Sequence, residues 1–273
     1  MTTITGSPLG KLTEYPDRYA PSLLFSFPRA EQRQELGLRG ELPFAGADLW
    51  TAYEITWLDA GGKPQLAVGE IVVPADSRAI VESKSVKLYL GSFAQEPLES
   101  IDALARRIAD DLKRACGTEV GVVLTPATAF GRLTAVELPG ESIDTIDTAV
   151  SSYTPSPDEL RASGPEVTET LRSALFRVNC PVTGQPDHAD VMLRYRGPRI
   201  DRAGLLRYIV SYRRHAAFHE SCVEHIFVDV LDRCRPRALT VYARFLRRGG
   251  IDINPFRSSF ESAPARAART PRQ

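Results

Sequence analysis

Residues 99–113 read Glu99-Ser100-Ile101-Asp102-Ala103-Leu104-Ala105-Arg106-Arg107-Ile108-Ala109-Asp110-Asp111-Leu112-Lys113, and here the apolar period of the chain changes. Ile101, Leu104, Ala105, Ile108 and Leu112 fall on one face of a helix. Gly117 supplies its stop, and Glu119 to Leu124 resumes as a strand. Upstream, Ala47 to Leu90 reads as strand-rich. Leu49, Ala52, Ile55 and Trp57 lead to a turn at Gly61-Gly62, followed by apolar pieces at Ala67 to Val73 and Ser85 to Leu90.

The second half repeats this order. Strands around Leu175 to Asn179 and Ala189 to Tyr195 precede a long helical region from Asp201 to Cys234, and Leu239 to Leu246 returns to a strand. Asp201 suits the N-cap of a helix turning Leu205, Leu206, Ile209 and Val210 inward. A further helix carries Val223, Ile226, Phe227, Val230 and Leu231. Between the halves, Pro139 to Ser173 is rich in Pro, Ser, Thr and acidic residues and reads as a linker with at most one short helix around Asp158 to Ala162. Two successive units of strands, helices and strands predict a duplicated α+β fold with antiparallel sheets, not a βαβ alternation. No GxGxxG follows a strand, so a Rossmann-type nucleotide site is not supported.

The 273 residues, 43% hydrophobic and 25% charged, belong to an ordinary soluble globular protein. Lys+Arg and Asp+Glu both number 34, which leaves no global positive field to gather nucleic acid or an anionic membrane. No apolar run reaches the roughly 20 residues that span a bilayer. Met1 to Gly10 lacks the regions of a secretory signal, so the expected location is cytoplasmic. Cys116, Cys180, Cys222 and Cys234, with no CxxC, form neither a disulfide framework nor a zinc ribbon.

Four segments carry chemistry. Glu82-Ser83-Lys84-Ser85-Val86-Lys87-Leu88 holds two of the five lysines in the chain. It reads either as a site for phosphate or carboxylate or as the polar face of an exposed strand. Cys180 opens a Pro- and Gly-rich turn, Asn179-Cys180-Pro181-Val182-Thr183-Gly184-Gln185-Pro186-Asp187, where a thiol is displayed at a loop mouth and a carboxyl follows. A buried inert cysteine is the alternative. Phe218-His219-Glu220 lies between helical stretches. His219, Cys222 and His225 recur at spacings of three, but ligands so spaced drift around a helix, and no metal is expected. Arg247-Arg248-Gly249-Gly250 places two guanidiniums beside flexible backbone, suited to a phosphate or simply a basic turn.

Together these segments, the last continuing through Ile251-Asp252-Ile253-Asn254-Pro255, closely resemble the NADPH-dependent 7-cyano-7-deazaguanine reductases, the QueF family, in its longer two-module branch. The likeness runs from about Ala20 to Phe260. It implies tandem tunnelling-fold (T-fold) units with helices packed on one face of antiparallel sheets. The expected organisation is a lead-in over 1–45, a first unit over 46–136, a linker over 137–173, a second unit over 174–262 and a flexible tail over 263–273.

By the same resemblance, Cys180 attacks the nitrile carbon of 7-cyano-7-deazaguanine to give a thioimide, which two hydrides from NADPH convert to the aminomethyl product of queuosine biosynthesis. Asp187 matches the proton donor. Val81, Glu82, Ser83, His219 and Glu220 match the substrate contacts, the glutamate accepting from the amide and amino edge of the base. Ser83, Lys84, Arg248 and Gly249 match the NADPH contacts, while Lys87 receives no specific contact. The implied partner is the small deazapurine alone, without nucleic acid or membrane, and the implied assembly is a homodimer. Two competing readings remain: a pterin-forming cyclohydrolase of the same fold, and a non-catalytic purine- or pterin-binding module.

Overall fold

Two hairpins, each followed by two helices, are laid side by side on one sheet. The structure, a computed structural model, describes residues 15–264 and 269–273. The elements are β1 (Ser26–Pro28), α1 (Arg29–Glu35), β2 (Ala45–Leu58), β3 (Pro64–Pro74), β4 (Ala79–Val81), α2 (Ser83–Gly91), α3 (Ile101–Cys116) and β5 (Gly121–Pro126). There follow β6 (Glu141–Ser142), β7 (Ala162–Asn179), β8 (Pro186–Ile200), α4 (Arg202–Ser211), α5 (His219–Cys234), β9 (Ala238–Phe245) and β10 (Ile251–Ser258). The sheet order is β5-β3-β2-β10-β9-β8-β7-β6, antiparallel except where the two-residue β6 joins β7 in parallel.

Strand alternation sorts the side chains. In β9, Leu239, Val241, Ala243 and Phe245 face a core closed by α4 and α5, while Tyr242 faces the other side with Met192 and Phe256. Trp50, Ile71 and Val73 face a second core under α2 and α3, with Leu104, Ile108 and Leu112 of α3 fully buried. The helices therefore cover one face, and the class is α+β. Gly117, at φ 72°, ends α3 in the left-handed conformation, and the Asp201 carboxylate caps α4 through the Ala203 N–H.

The structure departs from expectation in several places. Ser85 to Leu90, expected as strand, belongs to helix α2. A short apolar run does not distinguish helix from strand by period. What decides it is the Glu82 carboxylate, which accepts from the N–H of Lys84 (2.6 Å) and Ser85 (2.9 Å) and so caps a helix. The linker expected over 137–173 gives way at Ala162 to β7, an 18-residue strand. Its outer half pairs with β8 as a ribbon exposed to solvent, and so carries a linker-like polar composition. The helical region 201–234 is broken after a short turn at Tyr212–Arg214.

Strand β10, read only as the continuation of a basic turn, pairs with both β2 and β9 and fuses the two halves. The lead-in over 1–45 is also more than a leader, because Arg29 and Arg33 of α1 are buried. Arg29 pairs with Asp48, which lies 2.8 Å from Arg257; Arg257 and Arg33 each meet Glu224 at 2.8 Å. This chain of charges ties α1, β2, α5 and β10 together. The tail was expected to be flexible, but in its described part Gln273 is buried and bonds Arg244, Asn254 and the Phe245 carbonyl. Residues 1–14 and 265–268 lie outside the described residues.

Candidate active site

The hairpin joining β7 to β8 turns tightly because the Cys180 N–H donates to the Gln185 carbonyl (2.8 Å) and the Gly184 N–H to the Cys180 carbonyl (3.0 Å). Gly184 sits at φ 69°, where a side chain would be strained. The turn places Cys180 at the end of β7 and Asp187 near the start of β8, both buried. Opposite stands the first turn of α5, with His219 and Glu220. Val81 closes β4, Glu82 and Ser83 open α2, and Arg248 reaches in from the turn between β9 and β10.

These residues line one cavity of about 80 Å³ with Lys87, Phe27, Phe218, Ala217 and Ile253. Of the residues singled out in the sequence, Lys84 and Gly249 are not in its lining. Gly249 packs against the Lys87 stem, where an added Cβ would lie 3.2 Å from Cδ. A larger cleft of about 810 Å³, lined by Arg29, Arg33, Arg39 and Arg78, lies elsewhere and has no cysteine in its lining.

Asp187 is held from two sides. Its Oδ1 accepts from Arg248 Nη1 at 2.6 Å, and its Oδ2 is 3.4 Å from His219 Nε2. Burial pushes this carboxyl up, but His219 and Arg248 outweigh burial and hold it below the ordinary carboxylate range. The His219 ring stacks flat on Phe245, centroids 3.7 Å apart. Glu220 is the contrasting acid. It is 2% exposed, its Oε1 has no partner among the described residues, and burial followed by the Asp48 charge pushes its carboxyl up. Lys87 is pushed down by burial and then by Arg248, with Glu82, Asp187 and Cys180 opposing.

All four cysteines are free. Burial pushes Cys116 up to about 12 and Cys234 up to about 11, and raises Cys222 further still, which makes those three poor nucleophiles. Cys180 alone opens on the cavity. Among the described residues no three His, Cys, Asp or Glu side chains converge as metal ligands. Cys222 is sealed in the core, and His225 turns to Asp229.

Sequence reasoning missed Phe27. Its ring lies 5.0 Å from that of Phe218, and the pair makes an aromatic wall. The one available signal was the apolar stretch Leu23-Leu24-Phe25-Ser26-Phe27 within the lead-in.

A buried carboxylate with one oxygen unpartnered among the described residues, beside aromatic rings, suits a flat heterocycle bearing N–H donors, and a thiol beside a carboxyl suits addition to an electrophilic carbon. Two cations in the lining, Lys87 and Arg248, suit a phosphorylated cofactor.

Residues 15–124 match the family described as nitrile reductase, 7-cyano-7-deazaguanine-reductase N-term, and residues 186–264 match the family described as QueF-like protein. A Bordetella pertussis protein named NADPH-dependent 7-cyano-7-deazaguanine reductase is 53% identical over 272 residues, 99% of this chain and 100% of its own length. One of the same name from Burkholderia vietnamiensis is 54% identical over 269 residues, 98% of each chain. A solved structure, the archaeosine synthase QueF-Like in the apo form, covers 36% of this chain and 97% of its own at 18% identity and TM-score 0.32, too distant to carry weight. With more than half its residues shared along its whole length, the chain belongs to the 7-cyano-7-deazaguanine reductase (QueF) family.

Proposed function

We propose that this chain reduces the nitrile of 7-cyano-7-deazaguanine to the aminomethyl group with NADPH, in queuosine biosynthesis. The observation that carries the reading is the convergence of Cys180, Asp187 and Glu220, whose Oε1 has no partner among the described residues, in one cavity. Glu220 accepts from the amide and amino edge of the base, Phe27 and Phe218 cover its faces, and Val81, Glu82, Ser83 and His219 complete the walls.

So held, the nitrile carbon meets Cys180 Sγ. The sulfur adds as its thiol proton passes to Asp187, one carbon–nitrogen π pair moves to nitrogen, and Asp187 hands that proton on to the nitrogen, leaving a thioimide. Positioning converts a slow encounter into an intramolecular step. Ser83, Lys84, Arg248 and Gly249 would hold NADPH. The chemistry NADPH supplies when bound is hydride, of which a nitrile needs two equivalents to become an amine.

The test is NADPH absorbance loss on adding the nitrile, in parallel with Cys180→Ala and with intact-mass spectrometry. Two NADPH per substrate, an adduct on the parent chain and neither signal in the variant are expected; no oxidation returns the chain to a binding module.

No helix of the described residues is long and apolar enough to cross a membrane. Four free cysteines fit a reducing cytoplasm. Among the described residues the sheet edges at β5 and β6 are unpaired, which favours a homodimer that covers them, testable by light scattering.

A further inference from the structure

Asp187 is the proton donor of the proposed reaction, yet in the structure its carboxylate is clamped by a cation. The groups that face it are Arg248 from the turn between β9 and β10, His219 and Cys222 from α5, Lys87 from α2, Cys180 at the end of β7 and the adjacent His188. These are not equally movable. His219 is pinned by its stack on Phe245, and the Lys87 stem packs against Gly249. Arg248 is 26% exposed along its side chain and precedes Gly249 (φ 59°) and Gly250 (φ 84°). Its second nitrogen bonds Gln185, not the protein interior.

We propose that Arg248 is a latch shared between two anions: in the free chain it holds Asp187 as carboxylate, and a cofactor phosphate draws it away. The inference rests on the nitrile-reduction reading. In the addition step the Cys180 thiol proton passes to Asp187, the sulfur pair forms the carbon–sulfur bond, one carbon–nitrogen π pair moves to nitrogen, and Asp187 hands that proton to nitrogen. Nothing is oxidised or reduced. While Arg248 sits on Asp187 the proton-bearing carboxyl is disfavoured, and when the guanidinium moves to phosphate it is favoured. Addition is thereby coupled to the presence of the reductant, and Arg248 acts as a positioning residue for the acid.

The experiment follows formation of the Cys180 adduct by quenched intact-mass spectrometry across pH, on the full chain, with 7-cyano-7-deazaguanine and no reductant. NADP⁺, which cannot deliver hydride, is the probe. Adduct formation fails at low pH, where Asp187 is already protonated and cannot take the thiol proton. Freeing Asp187 therefore moves this acid limb to higher pH and raises the rate above it. The latch predicts that shift in the parent chain on adding NADP⁺. Arg248→Gln shows it without NADP⁺ and does not respond further. Arg248→Lys keeps a cation there and retains the parental limb in the absence of NADP⁺. A parent profile unmoved by NADP⁺, or an Arg248→Gln profile superposing on the parent, overturns the latch and leaves nitrile reduction standing. No adduct at any pH overturns nitrile reduction and the latch with it.

Discussion

Replacing Glu220 by Gln should weaken substrate binding and yet spare the fold. Glu220 is 2% exposed, and its Oε1 accepts no hydrogen bond within the described residues. A carboxylate accepts two donors side by side, whereas a carboxamide accepts one and sets its own NH₂ against the other. Losing one charge-assisted bond costs about 1.5–3 kcal/mol, or roughly ten- to a hundredfold in affinity. The assay is calorimetric titration of 7-cyano-7-deazaguanine in a Cys180→Ala background, where no adduct forms. Stability moves the other way. Burial and Asp48 raise this carboxyl, so the native state prefers it protonated. Its contribution is fully present below the ordinary carboxylate range and is lost as pH rises through the raised value. The Gln variant should thus match the parent at low pH and overtake it on going to neutral pH in urea melts. Unchanged affinity, or a variant losing more than about 2 kcal/mol at neutral pH, a cost typical of a disrupted structural network, would refute the reasoning.

Arg257→Leu should be the more damaging change to stability. The side chain is fully buried between Asp48 and Glu224, and breaking such a pair costs about 3–5 kcal/mol. Because Arg29 and Arg33 remain as second partners, the lower end is expected, a fall of roughly 6–12 °C in Tm by calorimetry at about 2–4 °C per kcal/mol. A fall under about 2 °C, less than 1 kcal/mol on that scale, contradicts the network. Phe27→Ala removes one ring of the aromatic wall and should raise KM roughly two- to tenfold with kcat little changed, from about 0.5–1.5 kcal/mol of ring contact; a pure kcat loss excludes a wall role. Asp187→Asn should keep binding, measured in the Cys180→Ala background, and with Cys180 present should slow adduct formation about 10²–10⁴-fold. An adduct forming at the parental rate would remove Asp187 from the reaction.

Legibility in the sequence followed the physics of each segment. Helix α3 was readable because sixteen residues of one period leave no alternative, and Gly117 marks its end. The α2 segment was not, since its apolar run is short and its cap is the same Glu82 that the motif reading assigned to substrate. β7 hid because a two-stranded ribbon in solvent carries no buried face over its outer half. Phe27 and the α1 arginines are long-range partners, and local periodicity has no access to contacts such as Arg33 with Glu224. At the site, the resemblance carried by the four motifs implied Cys180, Asp187 and Glu220, where residue type alone left an inert cysteine open, but it did not imply the Arg248 contact on Asp187, which depends on the β9–β10 turn folding back over the β7–β8 hairpin.

Glu82 shows why the two halves had to share a sheet. Both of its oxygens are engaged in capping α2, with Ser83 Oγ also 3.4 Å from Oε1, so its first effect is to fix the helix that carries Ser83 and Lys87. That helix belongs to the first half, while Cys180, Asp187 and Glu220 belong to the second. β10 closes the distance by pairing with β2 on one edge and β9 on the other, which brings Arg248 and Gly249 against Lys87. A site divided in this way depends on the register of β10. A one-residue slip would reverse its faces, sending Ile251 and Ile253 out of the core and Asp252 and Asn254 into it. The Asn254 side chain guards against that slip by donating to the Leu49 carbonyl at 2.9 Å and accepting from the Phe245 N–H at 3.1 Å, binding β10 to both neighbours at once.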